Sequence, residues 1–150
     1  MAHTFTKLTY HAVFSTKERR ELISDELRAR LHPYIHKMID NRLGFTRQIG
    51  GTKNHLHILF DLHQSVAVAD AIRQIKSISS GWVHETFPGR RFFAWQEGYG
   101  AFSVSASAVG RVAAYIEGQE EHHRERSFEE EFTALLKRHG IDYDPQYLWR

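Results

Sequence analysis

The sequence of 150 residues is 41% hydrophobic and 25% charged, which is the length and composition of one globular domain. Cysteine is absent, so disulfide bonds and thiolate metal ligands are excluded. The formal net charge of +2 does not by itself indicate nucleic-acid binding, and no apolar run reaches the roughly 18 residues of a membrane span. We therefore expect a single domain over residues 1–150, without a leader segment and located in the cytoplasm.

The first half of the sequence predicts a strand, a helix and two further strands. Residues 5–14 alternate in the manner of a strand, and apolar residues recur at helical spacing from about 25 to 41 after Ser24, a favourable N-cap. Pro33 interrupts this helical pattern and marks a position for a kink. The stretch GFTRQIGG predicts a short strand that ends in a Gly-Gly turn, and NHLHILFDL predicts the strand that follows.

The second half adds a long helix, one or two strands and trailing helices. Ser65 is a suitable N-cap for a helix to about residue 85, and FFAWQEGYGAFSVS predicts strands broken by glycines. Ser107 opens a third helix that continues through VAAYIEGQEEHH, and a shorter helix over about 128–139 ends before a glycine. The order β-α-β-β-α-β predicts an α+β, ferredoxin-like split βαβ sandwich, with helices on one face of an antiparallel sheet and extra C-terminal helices. Since this fold hosts many functions, it identifies none.

Several basic residues lie beside aromatic residues, an arrangement that suits phosphates and unstacked bases. The candidates for contact with DNA are Lys17, Arg19, Arg20, Arg73, Lys76, Arg90, Arg91 and Trp95. A solvated surface on an ordinary domain would have a similar pattern, so composition leaves both interpretations open.

Two histidines stand in a strongly apolar strand with one residue between them. Because alternate residues of a strand point to one face, His55 and His57 lie side by side and can bind one metal ion. With 11 histidines in the chain, the spacing alone is weak evidence. The alternative is a pair of structural histidines that are hydrogen-bonded or face solvent.

Tyr115 and Gln119 lie four residues apart in VAAYIEGQEEHH and are neighbours on one helix face. This face flanks the apolar stripe of the helix, where a side chain is held firmly and still meets a substrate. The alternative is a boundary tyrosine with its hydroxyl in water and a glutamine on the surface. His122, His123 and Glu121 either tune a site here or cover a helix end, and we favour the second interpretation.

Several motifs occur together in one order: GGTKNHLHILFDL, WQEGYGAFSVS, YIEGQEEHH, SFEEEF and LLKRHGIDYDPQYLW. In this combination the sequence resembles the single-tyrosine HUH transposases of the insertion sequence 200/605 type, including the repeat-associated tyrosine transposases. The likeness runs from YHAVFSTKERR to the carboxyl end. It implies that His55 and His57 bind a divalent ion, Mg²⁺ or Mn²⁺, that Tyr115 is the nucleophile and that Gln119 is a third ligand. Asn54 stands where many relatives have an acidic residue, which alters the expected support for His55.

The same resemblance implies cleavage and rejoining of single-stranded DNA through a 5′-phosphotyrosine at hairpin-bearing element ends, and a homodimer in which the tyrosine helix of one subunit completes the partner's site. Two other functions use part of the same residue set. A metal-dependent phosphoesterase that activates water needs His55 and His57 but not Tyr115. A noncatalytic module that binds single-stranded nucleic acid needs only the basic and aromatic residues.

Overall fold

The computed structural model describes residues 3–149. Within them, the strands are β1 (Thr9–Ser15), β2 (Gly44–Gly51), β3 (His55–Leu62) and β4 (Gly100–Ser103). The α-helices of the same residues are α1 (Asp25–Arg42), α2 (Val68–Thr86), α3 (Val109–Glu117), α4 (Gln119–His122) and α5 (Phe128–Arg138). Short 3₁₀ helices cover Lys17–Arg19 and Ala106–Ala108. None of the helices in this part of the chain has the length and apolar character that a membrane crossing requires.

The strands form one sheet in the order β2-β3-β1-β4, and all three neighbouring pairs are antiparallel. The strand β3 lies between β1 and β2, and β1 lies between β3 and β4. The two strands of each β-α-β unit are therefore separated by a strand of the other unit. This is the ferredoxin-like order, and the predicted α+β fold class is confirmed.

The main core lies between one face of the sheet and the helices α1 and α2. The even-numbered residues of the central strands, such as Phe14, Ile58 and Phe60, are fully buried against Leu31 and Ile75 of these helices. Alternation in a strand sends the odd-numbered residues to the other face. There Val13 and neighbouring side chains pack against α5 in a second, smaller core cluster.

The helices α3 and α5 cover the second face, and its centre is polar. His11, His55 and His57 point to this face from β1 and β3, and all three are buried. Gly50 permits the close approach of α3 to the sheet, since a Cβ atom at this position would overlap the backbone oxygen of Ile116. The fold therefore encloses three imidazoles under a lid of C-terminal helices.

Some predicted helix ends are confirmed and others are wrong. Ser24 caps α1 by accepting a hydrogen bond from the Leu27 amide at 3.1 Å, and α1 continues through Pro33. Ser65 does not cap α2, which begins at Val68; its hydroxyl instead lies 2.7 Å from His63 Nδ1. Ser107 does not cap α3 either, because a 3₁₀ turn precedes the helix and the N-cap position is Ala108.

The long helix predicted through VAAYIEGQEEHH is interrupted. The helix α3 ends at Glu117, Gly118 occupies the junction, and α4 adds only one further turn. Glycine is a poor helix former because it loses the most backbone freedom, so the break falls at the weakest position. The predicted first strand is also displaced, since β1 begins at Thr9 and Leu8 is exposed.

Candidate active site

The two histidines of β3 present their imidazoles to the covered face of the sheet. His55 and His57 are both fully buried, and their ring centroids are 5.2 Å apart. Leu56 between them points to the opposite face and belongs to the main core. The strand alternation predicted from the sequence is therefore present, and it brings both Nε2 atoms towards the C-terminal helices.

Glu131 of α5 is the residue on which this site converges. Its carboxylate is fully buried, and Oε1 lies 2.9 Å from His57 Nε2, 3.0 Å from His123 Nε2 and 3.6 Å from His55 Nε2. The nitrogen and oxygen atoms that His55, His57 and Glu131 offer all lie within 4.8 Å of one another. Two ligands on opposite sides of a small cation stand about 4.2 Å apart, so the group fits around one ion after a small contraction.

Tyr115 reaches the same carboxylate from α3. Its hydroxyl donates a hydrogen bond to Glu131 Oε2, and its ring lies 5.9 Å from the ring of His57. The phenol is half-buried, as expected for a residue flanking the apolar stripe of the helix. His122 stacks on the tyrosine ring with a centroid distance of 4.7 Å, and Arg126 donates to the phenol oxygen at 3.3 Å. The tyrosine and the histidine pair therefore meet within one chain.

Gln119 completes the ring of contacts in spite of the helix break. Its Nε2 donates to Glu131 Oε2 at 2.8 Å, and its Oε1 lies 2.7 Å from His55 Nε2. Because an ionised carboxylate only accepts hydrogen bonds, the amide NH₂ must face Glu131, and the amide oxygen must therefore face His55. The amide oxygen thus points towards the histidine pair, which is the orientation that the predicted role of Gln119 requires.

Each histidine of the pair also has a partner at its other ring nitrogen. His55 Nδ1 lies 2.8 Å from Asn54 Oδ1 and 3.1 Å from Thr52 Oγ1, and His57 Nδ1 lies 2.8 Å from His11 Nε2. Such outer contacts orient a metal-binding imidazole and select its tautomer. The amide oxygen of Asn54 provides this support, although an acidic residue would provide it with a charge.

The protonation states follow from burial and from the charges within the site. Burial, and then the neighbouring His57, lowers the pKa of both His11 and His55 to about 3, so these rings are neutral at pH 7. Burial alone would raise the pKa of Glu131, but hydrogen bonds from His123 and His57 outweigh it and hold the pKa well below its usual range. Burial, and then Glu131, raises the pKa of Tyr115 to about 12. The site therefore contains the carboxylate of Glu131, the neutral imidazoles of His11 and His55, and the protonated phenol of Tyr115.

The residues predicted to contact DNA lie outside this cluster. Trp95 is only 8% exposed, packs in the main core and donates its indole N–H to Ser79 Oγ at 2.9 Å, so its ring is not available for stacking on bases. Lys76 donates to the backbone oxygens of 96–98 at 2.6–3.2 Å, and burial lowers its pKa to about 8. Arg73 is exposed beside Asp70.

The remaining basic candidates are divided between surface contacts and solvent. Arg19 lies 3.5 Å from Glu129 and over the ring of Trp149, and Arg20 pairs with Glu18 at 2.9 Å. Arg90 donates to the Ser24 hydroxyl at 2.8 Å. Lys17 and Arg91 are exposed. None of these eight side chains contacts the histidines or the tyrosine in the part of the chain that the structure describes.

Sequence reasoning missed Glu131 and the contributions of His11 and Arg126. Glu131 lies in the acidic run EEE, which indicates a solvated surface when taken as a run. Its position on α5 carried a better signal, because Phe128, Phe132 and Leu135 form an apolar stripe and Glu131 falls within it. His122 and His123, at the end of α4, contact Tyr115 and Glu131, so the interpretation that they only cover a helix end is wrong for these two histidines.

Comparison with known proteins gives one family and a group of related folds. The family model for IS200-like transposases matches residues 4–119. The crystal structure of a protein assigned as a transposase from Deinococcus radiodurans superposes with a TM-score of 0.63 at 20% sequence identity, covering 79% of this chain and 95% of that chain. The structure of a REP-associated tyrosine transposase bound to a REP hairpin gives a TM-score of 0.55 at 15% identity, covering 77% and 68%.

Both structural likenesses fall below 25% identity and show the fold alone, and no curated protein sequence matches. The family match covers well over half of the chain and includes His55, His57, Tyr115 and Gln119. Glu131 lies beyond the matched residues. The chain belongs to the family of IS200-like transposases.

Proposed function

We propose that this transposase cleaves and rejoins single-stranded DNA through a covalent 5′-phosphotyrosine on Tyr115, with the aid of a divalent cation. One observation carries the proposal: the tyrosine hydroxyl and His57 Nε2 hydrogen-bond to the same buried carboxylate, that of Glu131. A nucleophile and a metal-binding histidine pair that contact one carboxylate lie close enough to act on the same phosphate. A structural tyrosine would not require this arrangement.

The donor set fits a divalent cation. His55 and His57 offer imidazole nitrogens, Gln119 an amide oxygen and Glu131 a carboxylate oxygen. Mg²⁺ and Mn²⁺ prefer oxygen ligands, and Mn²⁺ tolerates imidazole better. A cation bound here supplies positive charge against the charge that develops on the phosphate oxygens. The same cation would compensate the negative charge of the buried Glu131 carboxylate.

Binding at Nε2 also requires a particular tautomer of each histidine. The proton of His57 must then reside on Nδ1, where His11 Nε2 accepts it at 2.8 Å. The proton of His55 must likewise reside on Nδ1, facing Asn54 Oδ1. Both acceptors are already in place, so the exchange of tautomers needs no rearrangement of the strand.

Tyr115 acts as the nucleophile after it loses its proton. The phenol is a weak nucleophile at neutral pH because its pKa is about 12 in this site. Glu131 accepts the hydrogen bond from the phenol and orients it, and Arg126 donates to the phenol oxygen and favours its anionic form. The phenol proton passes to water, the oxygen attacks phosphorus, the P–O3′ bond breaks, and the departing 3′ oxygen takes up a proton from water.

The covalent product retains the energy of the bond that was broken, because one phosphodiester replaces another. A 3′-hydroxyl of another strand can therefore attack the phosphotyrosine, release Tyr115 and join the strands without a nucleotide cofactor. The REP hairpin bound to one structural neighbour supports hairpin-bearing DNA as the partner. Single strands are favoured because a stacked duplex hinders access to the scissile phosphate.

The test uses oligonucleotides that carry the ends of the native element, with Mg²⁺ or Mn²⁺, and detects a protein–DNA adduct on a denaturing gel. The wild-type protein should form an adduct that chelation prevents, and Tyr115→Phe should form none. Tyr99→Phe is the matched control, since this exposed tyrosine lies over Lys76 and away from the histidines. Cleavage that persists in Tyr115→Phe would favour a water-using phosphoesterase. Binding without cleavage, unchanged by chelation, would favour a noncatalytic module.

The same assay examines the dimer that the family resemblance implies. Since one chain brings Tyr115 and His57 together, a mixture of Tyr115→Phe and His57→Ala should form no adduct. An adduct from the mixture would show that tyrosine helices exchange between subunits. The homodimer itself is part of the proposal and is measured separately by sedimentation.

A further inference from the structure

A cleft opens between α3 and α5 on the side of Tyr115 that faces away from Gln119. It has a volume of about 740 Å³, within the range of pockets that bind small molecules. Tyr115 and His11 lie in its wall, so the cleft leads from solvent to the nucleophile and to the histidine that supports His57. Ser103 and Ser105 line it from the end of β4.

Two arginines line this cleft from the helix faces that carry Tyr115 and Glu131. Arg111 lies one helical turn before Tyr115 and therefore on the same face of α3. Arg138 lies seven residues, or two turns, after Glu131 on the corresponding face of α5. The helix α3 thus places one guanidinium beyond Tyr115, and α5 places another beyond Glu131.

The charge of this cleft is distinctive. Across residues 3–149, neither Arg111 nor Arg138 forms an ion pair or a side-chain hydrogen bond, whereas Arg28, by comparison, pairs with Glu120. No acidic side chain lines the cleft within the described residues. The cleft on the Gln119 side is different, because three acidic residues, Glu117, Glu120 and Glu121, line it against the single arginine Arg28. A polyanion can therefore approach Tyr115 from the arginine side at much lower electrostatic cost.

We propose that this cleft binds the sugar-phosphate backbone of single-stranded DNA on one side of the scissile phosphate, with Arg111 and Arg138 on the phosphates. The inference rests on the proposed function and adds the path of the substrate strand. Guanidinium groups bind phosphate oxygens in a bidentate manner, and the Ser103 hydroxyl is a further donor. The ring of His139 is already stacked on Phe102, so the cleft favours backbone contacts over base stacking. We therefore expect binding that is independent of sequence.

The experiment measures the salt dependence of binding in the Tyr115→Phe background, with a chelator present so that metal contacts do not contribute. The probe is a fluorescent oligodeoxythymidylate of roughly 20 nucleotides, longer than the site size of a typical single-strand-binding fold. Each phosphate contact contributes about 0.7 to the slope of log K against log salt for a single strand. The double change Arg111→Ala/Arg138→Ala should therefore reduce the slope by about 1.4. Binding should also weaken, and Arg111→Lys/Arg138→Lys should restore most of the slope.

The matched control is Lys37→Ala/Arg42→Ala, which removes the same charge from exposed positions of α1 on the opposite face of the sheet. It should leave the slope within error of the background. An equal reduction in both double variants, or no reduction in either, overturns the proposal. Displacement of the oligonucleotide by inorganic phosphate at the same concentration of phosphate groups would also overturn it, because that result indicates an isolated anion site.

Failure of this inference is distinct from failure of the proposed function. If the wild-type protein forms the adduct but the slope is unchanged in Arg111→Ala/Arg138→Ala, the proposed role of the cleft is contradicted and the proposed chemistry is supported. If the slope changes as expected but the wild-type protein forms no adduct, the cleft is supported as a binding surface and the proposed cleavage is contradicted. Because both arginines are exposed, the thermal midpoint of the double variant should match that of the background and so exclude a folding defect.

Discussion

Replacement of Glu131 by glutamine tests the centre of the site. The substitution preserves the shape of the side chain but puts an NH₂ group where one carboxylate oxygen accepts hydrogen bonds. His57, His123, Tyr115 and Gln119 all hydrogen-bond to this carboxylate. At least one donor would then face another donor in a fully buried position, and the charge that strengthens the remaining hydrogen bonds would be lost.

The expected loss of stability is large. A hydrogen bond to a charged group contributes about 1.5–3 kcal/mol, and a buried donor that is left without an acceptor costs about 1–3 kcal/mol. We expect the free energy of unfolding to fall by about 3 kcal/mol. In a domain of this size 1 kcal/mol moves the thermal midpoint by about 2–4 °C, so the midpoint should fall by about 6–12 °C.

The assay is thermal unfolding followed by circular dichroism, in chelator and then in saturating Mn²⁺. At a free ion concentration of 100 Kd, binding adds about 2.7 kcal/mol to the stability of the wild-type protein. Because Glu131→Gln removes a charged ligand, its shift with Mn²⁺ should be smaller. Glu125→Gln is the control, since the same change at an exposed residue should alter stability by less than about 0.5 kcal/mol. Equal midpoints for the two variants would contradict the reasoning.

Two further predictions concern the packing of the tyrosine helix and the pH dependence of folding. Gly50→Ala should displace α3, because the new Cβ overlaps the Ile116 backbone oxygen. We expect the free energy of unfolding to fall by about 1–3 kcal/mol and the adduct to form more slowly. Gly81→Ala is the control, since no atom lies within 4 Å of the added Cβ, and it should not destabilise the fold. Burial, and then Arg28, lowers the pKa of His32 from 6.5 to about 4, so between these pH values the unfolded state binds a proton that the folded state does not. The free energy of unfolding therefore decreases as the pH is lowered from 6.5 towards 4, by up to about 1.4 kcal/mol per pH unit. His32→Leu should reduce this slope in urea unfolding at pH 4.5–6.5; a slope that stays the same would show that another group is responsible.

Local patterns in the sequence predicted most of the elements and the fold. The caps at Ser24 and the end of α5 were confirmed because capping depends on residues within one helical turn. The caps at Ser65 and Ser107 were wrong because each hydroxyl contacts a side chain two residues earlier, that of His63 or Ser105, and caps no helix; residue type alone does not show which partner a hydroxyl takes. Trp95 illustrates the same limit, since an aromatic residue beside arginines has the same pattern whether it is buried or exposed.

The sequence by itself determined that His55 and His57 share one face of a strand and that Tyr115 and Gln119 lie on neighbouring turns. Periods of two and of about 3.6 residues are properties of the backbone and need no tertiary contact. Only the tertiary structure decided that Glu131, 74 residues after His57, is the group that joins them. That contact depends on the docking of α5 against the polar face of the sheet, where a buried carboxylate must find its donors among residues distant in sequence.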